Sequence, residues 1–369
     1  MNTAPLYYQN LWGDLHGNLS ISHWALTSKA WEEGRYLDSF HALLDYINIH
    51  VRKNYGNLEQ TKFVVPHGSV MVEITLRDGQ MEVVSPFVSV KGAIQVPLLR
   101  KVAELNFYPL CLAAIHMNEE KLFFHYKAPL DTCEPYKIYY VLKEICQTAD
   151  TYDDDFANKF KTTNLVEPKV TFFSGEQVDK AWSQTNLIIQ EVMQYADFFE
   201  SKRWYGFALD FLNTGIKRIS YCVQPQGFLK NELTRAIDET MDKNVNVLDR
   251  VKRARAFLQQ LVQLGKESFA KSMYQAEVFV ADKWNDSFEH VKKGMTDSQG
   301  YVRQAISEQN YIGACNEAYY FMYNHLQYNY VSKGVFDIVE GGLRNAAGKE
   351  WNEAATILAD TMQSVISLN

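Results

Sequence analysis

The first part of the chain shows two different hydrophobic periods. Over residues 30–53, apolar residues recur every three or four positions, which predicts a helical region, and Gly34 indicates a turn between a short helix and a longer one. From Val70 onward, apolar and polar residues alternate instead, which predicts strands, and Asp78-Gly79 is a strong hairpin turn. The apolar side chains expected on one face of the first strand are Val70, Val72, Ile74 and Leu76.

The return strand is predicted at residues 81–84, and residues 87–90 extend it past Pro86. Pro97 favours the first turn of a following helix. The order helix, strands, helix, strand pair and helix predicts an α+β fold with an antiparallel sheet. The elements expected after the hairpin are a short helix at 98–106, strands at 110–116 and 121–127, and a long helix at 134–160.

The second half of the chain shows helical periodicity alone. We interpret residues 159–177 as a linker, with no convincing strand beyond it. Two domains are therefore predicted: an α+β domain over 1–165 with a helical lead-in, and an all-α helical bundle domain over 175–369. After a helical stripe over 178–199, the expected helices are 204–221, 228–243, 247–264, 268–291, 300–307, 311–328 and 351–366.

A local pattern recurs three times, in which an aromatic residue is followed three positions later by a small residue. It resembles the joint of a tetratricopeptide helix hairpin, where the small residue lets two helices approach closely. The spacing between the copies is irregular, so ordinary helix-hairpin joints are favoured over a solenoid. The pairs are Tyr36–Ser39, Tyr311–Ala314 and Trp351–Ala354.

The composition and charge argue against nucleic-acid-binding, membrane-spanning and secreted proteins. The 369 residues have a formal net charge of -7, whereas nucleic-acid-binding proteins usually carry a basic excess. Hydrophobic residues make up 47% of the chain, enough for a large core. No window is apolar enough for a membrane span, and the start of the chain does not resemble a signal peptide. The five scattered cysteines indicate reduced core thiols in a cytoplasmic protein.

One motif, Gly13-Asp14-Leu15-His16-Gly17, resembles the opening signature of the metal-dependent phosphoesterases. In those enzymes the Asp and His, here Asp14 and His16, bind one metal of a two-metal pair. Such a site needs further Asp, Asn and His ligands. No second Gly-Asp dipeptide follows, and the one Asn-His, Asn324-His325, lies in a helical aromatic run. A turn at the two glycines is therefore favoured.

Three other clusters of charged or metal-binding residue types lack part of what a functional site needs. His116 and His125 lie on paired strands, but two histidines without a third ligand do not make a metal site. Asp153-Asp154-Asp155 lacks the spaced oxygen ligands and the glycine of a calcium loop, so solvated acids at a helix end are favoured. A solvated helix face is the favoured interpretation of the basic run, Arg250, Lys252, Arg253 and Arg255. We expect no catalytic residue, no cofactor and no metal.

Four stretches between about residue 31 and residue 160 share a characteristic order and apolar placement. They are "YLDSFHALLDYIN", "GSVMVEITLRDGQMEVVSPF", "PLLRKVAELNFYPLCLAAIHMNEEKLFFHYKAPLD" and "YKIYYVLKEICQTADTYDDDF". Together they resemble the YbjN-type, type III secretion chaperone-like family. The resemblance implies an α-βββ-α-ββ-α fold for the first domain. Members of the family are usually single small domains, whereas here a long helical domain follows.

The resemblance implies protein binding rather than catalysis. Such chaperones usually dimerise and hold a non-globular stretch of a partner, and an open sheet edge can accept an added strand. We therefore expect a non-enzymatic module that binds a partner protein or peptide segment, with a homodimer as an option. A structural or regulatory scaffold acting through the helical domain is the alternative, and a phosphoesterase the remote one. The residues expected to line the partner-binding surface are Met71, Val84, Phe87 and Val90.

Overall fold

The structure is a computed structural model that describes residues 2–13, 19–283 and 288–368. It confirms the predicted α+β class: an antiparallel sheet lies in the first half of the chain, and helices dominate the second half. Within the described ranges, no helix combines the length and apolar character needed to cross a membrane.

Three helices precede the sheet: α1 (Ser22–Glu32), α2 (Tyr36–Ile47) and α3 (Val51–Tyr55). The turn between α1 and α2 lies at Gly34 as predicted, and the φ of 73° there explains the glycine. The two helices pack closely, and the Ser39 hydroxyl donates a hydrogen bond of 2.8 Å to the Thr27 carbonyl oxygen of α1. The buried face of α2 covers the sheet with Phe40, Leu43, Leu44 and Ile47.

The main sheet is antiparallel, in the order β1-β2-β3-β5-β4. Its strands are β1 (Lys62–His67), β2 (Val70–Arg77), β3 (Gln80–Ser89), β4 (Ala114–Asn118) and β5 (Lys121–Pro129), and a short β6 (Thr163–Asn164) pairs with β3. The hairpin between β2 and β3 turns at Asp78-Gly79, where both residues have positive φ. The alternation in β2 is confirmed, because Val70, Val72, Ile74 and Leu76 are all buried in one core.

Two further helices complete the first half: α4 (Gln95–Phe107) and α5 (Pro135–Phe160). Apart from the additional short helix α3, the elements from α2 to α5 follow the expected order α-βββ-α-ββ-α. Helix α5 packs on β2, β3 and β5, and its side chains Ile138, Val141 and Ile145 lie in the same core as α2. The opposite sheet face is partly exposed to solvent and includes Val64, Glu73, Val84 and Phe123.

The second half is a helical array with one small two-stranded sheet. Its elements are β7 (Val170–Phe172), α6 (Gly175–Ser201), α7 (Tyr205–Val223), α8 (Gly227–Met241), α9 (Val247–Gln263), α10 (Gly265–Ala270), β8 (Tyr274–Ala276), α11 (Phe288–Ser307), α12 (Tyr311–Tyr328), α13 (Lys333–Ala346) and α14 (Trp351–Ile366). Helix α6 begins at a capping box formed by Ser174 and Gln177. Ala314 and Ala354 are fully buried, as expected at helix joints.

Some elements of the second half differ from the prediction. The helix expected at 268–291 is wrong, because the chain leaves α10 and forms β8, which pairs with β7 inside the supposed linker. The pairing joins residues about a hundred positions apart, so the local period does not reveal it. Helix α13 was not predicted. At Gly342 a side chain would meet Thr361 of α14, since an added Cβ would lie 2.1 Å from the Thr361 hydroxyl.

The two halves exchange segments. Residues 2–13, here called the strap, pack on the helical half, with Ala4 in its core and Trp12 against it. The predicted first domain, 1–165, therefore does not include its own first residues in its core. In the other direction, Phe279 and Val280 of the second half lie in the core of the sheet. Two hydrophobic cores are present, but neither is made of one continuous stretch of chain.

Candidate protein-binding surface

The four residues predicted to line a partner-binding surface do not form one. Phe87 contacts the rings of Phe124 and Phe156, each at a centroid distance of 5.0 Å, and lies with Val90 in the sheet core. Met71 is also buried, and Val84 is half-buried on the opposite sheet face. Alternation from Met81 and Val83 already places Phe87 in the core, and the register shift between Pro86 and Ser89 explains why Val90, which alternation would expose, is buried as well.

One outer edge of the sheet, at β4, is occupied by side chains of the chain itself. The Ile115 N–H donates to Asn106 Oδ1 at 2.6 Å, and Asn106 Nδ2 donates to the Ile115 carbonyl oxygen at 3.0 Å. Just before the strand, the Ala113 N–H donates to Glu144 Oε2 at 3.2 Å. The Asn106 amide therefore takes the bonds that an added strand would need at this position.

The other outer edge, at β1, is covered by the segment that precedes it. Gly56 forms a bridge with Phe63, and the Asn57 N–H donates to the Lys62 carbonyl oxygen at 2.9 Å. Asn57 Oδ1 accepts the Lys62 N–H, also at 2.9 Å. Pro66 has no N–H to offer. Both outer strands of the described sheet are therefore capped in part, β1 at Lys62 and β4 at Ile115, which shortens the open edge expected for strand addition.

Exposed apolar side chains gather where α4 ends beside β4. Phe107 is 87% exposed and Tyr108 is 73% exposed, although both are large and apolar. Met117 on β4 and Leu112 before it are also exposed. Such a cluster is unusual on a surface that contacts only water.

Helix α5 adds an aromatic ring to this cluster. Glu144 Oε2 accepts the N–H groups of Cys111 and Leu112 at 3.1 and 3.0 Å, which fixes the loop against α5. Tyr140 lies one turn earlier on the same helix face and is exposed. We call the resulting surface the aromatic corner: Phe107, Tyr108, Leu112, Met117 and Tyr140.

A polar cleft of about 480 Å³ lies between α5 of the first half and α7, α8 and α12 of the second. Its charged side chains pair with one another: Lys230 Nζ lies 2.6 Å from Asp282 Oδ2, and Arg235 pairs with Glu232. Asn231 Nδ2 donates to the Thr151 carbonyl oxygen of α5 at 2.6 Å. The Asn231 bond joins the two halves across the cleft.

A buried acidic cluster lies at the same joint. The Ser69 N–H donates to Asp150 Oδ1 at 2.7 Å, and the Ser69 hydroxyl oxygen lies 2.9 Å from Asp150 Oδ1 and 2.5 Å from Asp153 Oδ2. Burial, with Asp154 nearby, raises the pKa of Asp153 to about 8. Asp154 Oδ2 accepts the Phe228 N–H of α8 at 2.9 Å. The interpretation of this run as solvated acids at a helix end is therefore wrong.

The remaining candidate residues make structural contacts. His116 and His125 do approach, with ring centroids 5.1 Å apart, but His125 Nε2 bonds Glu82 at 2.9 Å. Among the residues that the structure describes, no group of three or more His, Cys, Asp or Glu side chains could hold a metal ion. In the basic run, Lys252 and Arg253 are exposed, and Arg255 pairs with acids of α6.

Two sequence interpretations have different outcomes. Four of the five cysteines are buried and free as expected, but Cys111 is exposed beside the aromatic corner. Asp14 and His16, the candidate phosphoesterase ligands, lie outside the described residues. The sequence offered one signal for the corner: the apolar pair Phe107-Tyr108 directly after a helix end and before Pro109.

The comparisons with protein-family models, with curated proteins and with solved structures found no match.

Proposed function

We propose that the chain is a non-enzymatic, cytoplasmic protein-binding module, chaperone-like or adaptor-like, whose first half binds a partner protein through the aromatic corner. The observation that supports this most is the exposure of Phe107 and Tyr108 beside further apolar side chains. Aromatic residues in the centre of an apolar cluster are the usual anchors of protein interfaces. The resemblance of residues 31–160 to secretion chaperone-like proteins favours the same class of function.

The corner favours side-chain docking over strand addition. The nearest edge strand, β4, already bonds Asn106, so a partner strand would first have to break these bonds. Glu104 lies one helical turn before Phe107 on α4 and pairs with Lys101 at 2.7 Å, so charge adjoins the apolar residues of the corner. A partner that presents an apolar helix face or loop with polar flanks fits this surface best.

The test compares two charge substitutions at exposed apolar sites. Phe107→Glu places a charge in the corner, and Leu58→Glu places one at a 98% exposed residue before β1, the opposite outer strand. Partners are captured from the source cells by crosslinking to the full chain and then reconstituted with purified components. We expect Phe107→Glu to weaken the reconstituted complex at least tenfold, whereas Leu58→Glu leaves its affinity unchanged.

Equal affinity for the two variants would overturn the corner as the binding surface and favour the scaffold that acts through the helical half. Sedimentation of the purified chain tests the homodimer option, since Phe107→Glu would dissociate a dimer that uses the corner. Metal analysis separates the remote alternative: a stoichiometric bound metal that is lost on Asp14→Ala would establish the phosphoesterase instead.

A further inference from the structure

The strap lies along the helical half as a segment without regular secondary structure. Ala4 and Pro5 are buried, whereas Thr3, Leu6 and Gln9 are exposed. At the far end, Trp12 stacks on Phe173 with ring centroids 4.2 Å apart. This arrangement, in which buried and half-buried side chains are interspersed with exposed ones, is typical of a peptide bound in a groove.

The groove holds the strap mainly through its backbone. Ala4 pairs with the turn before α14, because its N–H donates to the Lys349 carbonyl oxygen at 2.7 Å and its carbonyl oxygen accepts the Gly348 N–H at 3.2 Å. Side chains of the helical half bind further main-chain groups of the strap. They are Tyr195 on the Thr3 oxygen at 2.8 Å, Glu191 on the Leu6 N–H at 2.6 Å, Arg218 on the Leu6 oxygen at 2.7 Å and Gln184 on the Gln9 oxygen at 2.9 Å.

Bonds to main-chain groups do not depend on the side chains of the strap. A segment with another sequence could therefore make the same main-chain bonds, provided that its residue at the Ala4 position is small. The side-chain contacts of Tyr7, Tyr8 and Trp12 with the helical half add to the affinity of the strap. The groove contains a buried ion pair, in which Arg218 Nη1 lies 2.8 Å from Glu191 Oε2. This buried pair orients one donor and one acceptor toward the backbone of Leu6.

The groove also contains polar atoms that the strap does not use. Thr214 Oγ1, Arg218 Nε and Tyr319 Oη have no hydrogen-bond partner in the described part of the chain, and each of these residues is less than a tenth exposed. All three residues line one small cavity against Pro5. A buried polar atom without a partner is costly, so three around one proline ring are unusual.

We propose that the groove of the helical half is a binding site for extended peptide segments of partner proteins, and that the strap is an internal ligand which such a segment displaces. The preferred segment has a small residue at the Ala4 position and a serine or threonine where the strap has Pro5. A hydroxyl there can accept from Arg218 Nε and bond the hydroxyls of Thr214 and Tyr319. A carboxylate fits less well, because Glu191 already neutralises Arg218. This site is separate from the aromatic corner, so either proposal can fail alone.

The test makes the strap exchangeable within the full chain. A protease recognition sequence replaces residues 14–18, and cleavage leaves the strap bound without a covalent link. Labelled synthetic peptides of residues 2–13 are then titrated and followed by fluorescence anisotropy. We expect saturable one-to-one exchange, and at least tenfold weaker binding for the Ala4→Arg peptide, because Ala4 is only 2% exposed.

The chemistry at position 5 is tested by comparing Pro5→Ser and Pro5→Ala peptides. We expect the serine peptide to bind about fivefold tighter, the ratio that one net hydrogen bond of about 1 kcal/mol gives. In the Thr214→Val protein this preference should shrink or vanish. No exchange at millimolar peptide, or unfolding on cleavage, would show that the strap is a permanent part of the core and overturn the site. Exchange without any preference for serine would overturn the proposed ligand chemistry, and the Phe107→Glu protein should exchange normally.

Discussion

At the residue scale, two charged side chains of α7, Lys217 and Arg218, are buried, and each has a specific polar contact. Arg218 is 2% exposed and pairs with Glu191, while the fully buried Lys217 lies over the Tyr320 ring at 4.3 Å and donates to Asn324 Oδ1 at 3.0 Å. Burial lowers the pKa of Lys217 to about 8. Buried charges cost several kcal/mol unless they are paired, so these contacts are required for α7 to lie at the centre of the helical half.

Asp153 is the residue whose charge state should be visible in stability. One hydroxyl hydrogen of Ser69 cannot serve both Asp150 and Asp153, so a proton on Asp153 completes the chain of bonds. Burial raises the pKa of Asp153 to about 8, whereas an unfolded aspartate titrates near about pH 4. The stabilising contribution of the neutral carboxyl is therefore complete below about pH 4 and is lost as the pH rises to about 8.

We predict that Asp153→Asn, which keeps a neutral group, flattens this pH dependence. The variant should be more stable than the parent at pH 8.5 and similar to it at about pH 4, because the loss begins at the unfolded pKa and amounts to at most about 1.4 kcal/mol per pH unit. Denaturant unfolding at several pH values measures the effect. Asp155→Asn is the control, since Asp155 pairs with Lys159 at the surface of the same helix. The groups that face Asp153 are Asp150, Asp154, Ser69 and Tyr274. Parallel curves for parent and Asp153→Asn would contradict the prediction.

The sequence could not reveal this burial. Helix α5 shows an apolar face toward the sheet, and the Asp153-Asp154-Asp155 run lies partly on the other face, which reads as solvated. That face is covered because α8 docks on it, as the Asp154 bond to the Phe228 N–H shows. The contact between Asp154 and α8 involves a residue of the second half of the chain, so the sequence pattern around α5 does not predict it.

At the element scale, the predicted strands and helices are correct where the local sequence alone determines the secondary structure. The alternation in β2 and the long period of α5 follow from local sequence, and both elements form as expected. Strands β7 and β8 each have three residues and exist through their mutual pairing, so neither shows a local period. The burial of Val90 was missed for a related reason, since the register shift in β3 cannot be read from the alternation.

The Asn106 side chain caps the outer edge of β4, and a substitution at Asn106 tests this role. Asn106→Leu removes both bonds to Ile115 and leaves a backbone N–H and carbonyl group at the outer edge of β4. We predict a loss of stability of about 1–3 kcal/mol and a new concentration-dependent self-association, because unpaired edges template strand pairing. Unfolding curves and light scattering measure the two effects.

Asn118→Leu is the matched control for this change. It adds the same apolar group to the exposed end of β4 without removing an edge bond described in the structure. If both variants associate equally, the added apolar side chain is the cause and the capping role of Asn106 is contradicted.

At the scale of the whole molecule, the two halves are interlocked rather than simply linked. The strap packs on the helical half, and Phe279 of the second half packs in the sheet core. The Phe279 and Val280 N–H groups both point to His67 Nδ1, at 3.2 and 3.4 Å, so backbone and side chain are both anchored. Burial lowers the pKa of His67, which keeps the imidazole neutral and able to accept these bonds.

This interlock changes what proteolysis should show. The predicted linker contains β6 and β7, and its segment without strand or helix is residues 165–169. We predict that a cut at 165–169 leaves the two fragments associated in native buffer, so that they elute together and separate only in denaturant. Separate elution of the fragments after the cut would instead establish two independent domains.

The anchor of this association is Phe279, which is 1% exposed. We predict that Phe279→Ala destabilises the protein by about 3–5 kcal/mol, the usual cost of removing a buried aromatic ring. Because the lost contacts join the halves, calorimetry should then show two separate unfolding transitions, and the cut fragments should elute apart. Phe257→Ala is the control, since Phe257 packs against the helical core alone and should lower stability without separating the fragments. If Phe279→Ala leaves the cut fragments together, the cleft contacts between α5 and α8 hold the halves without it.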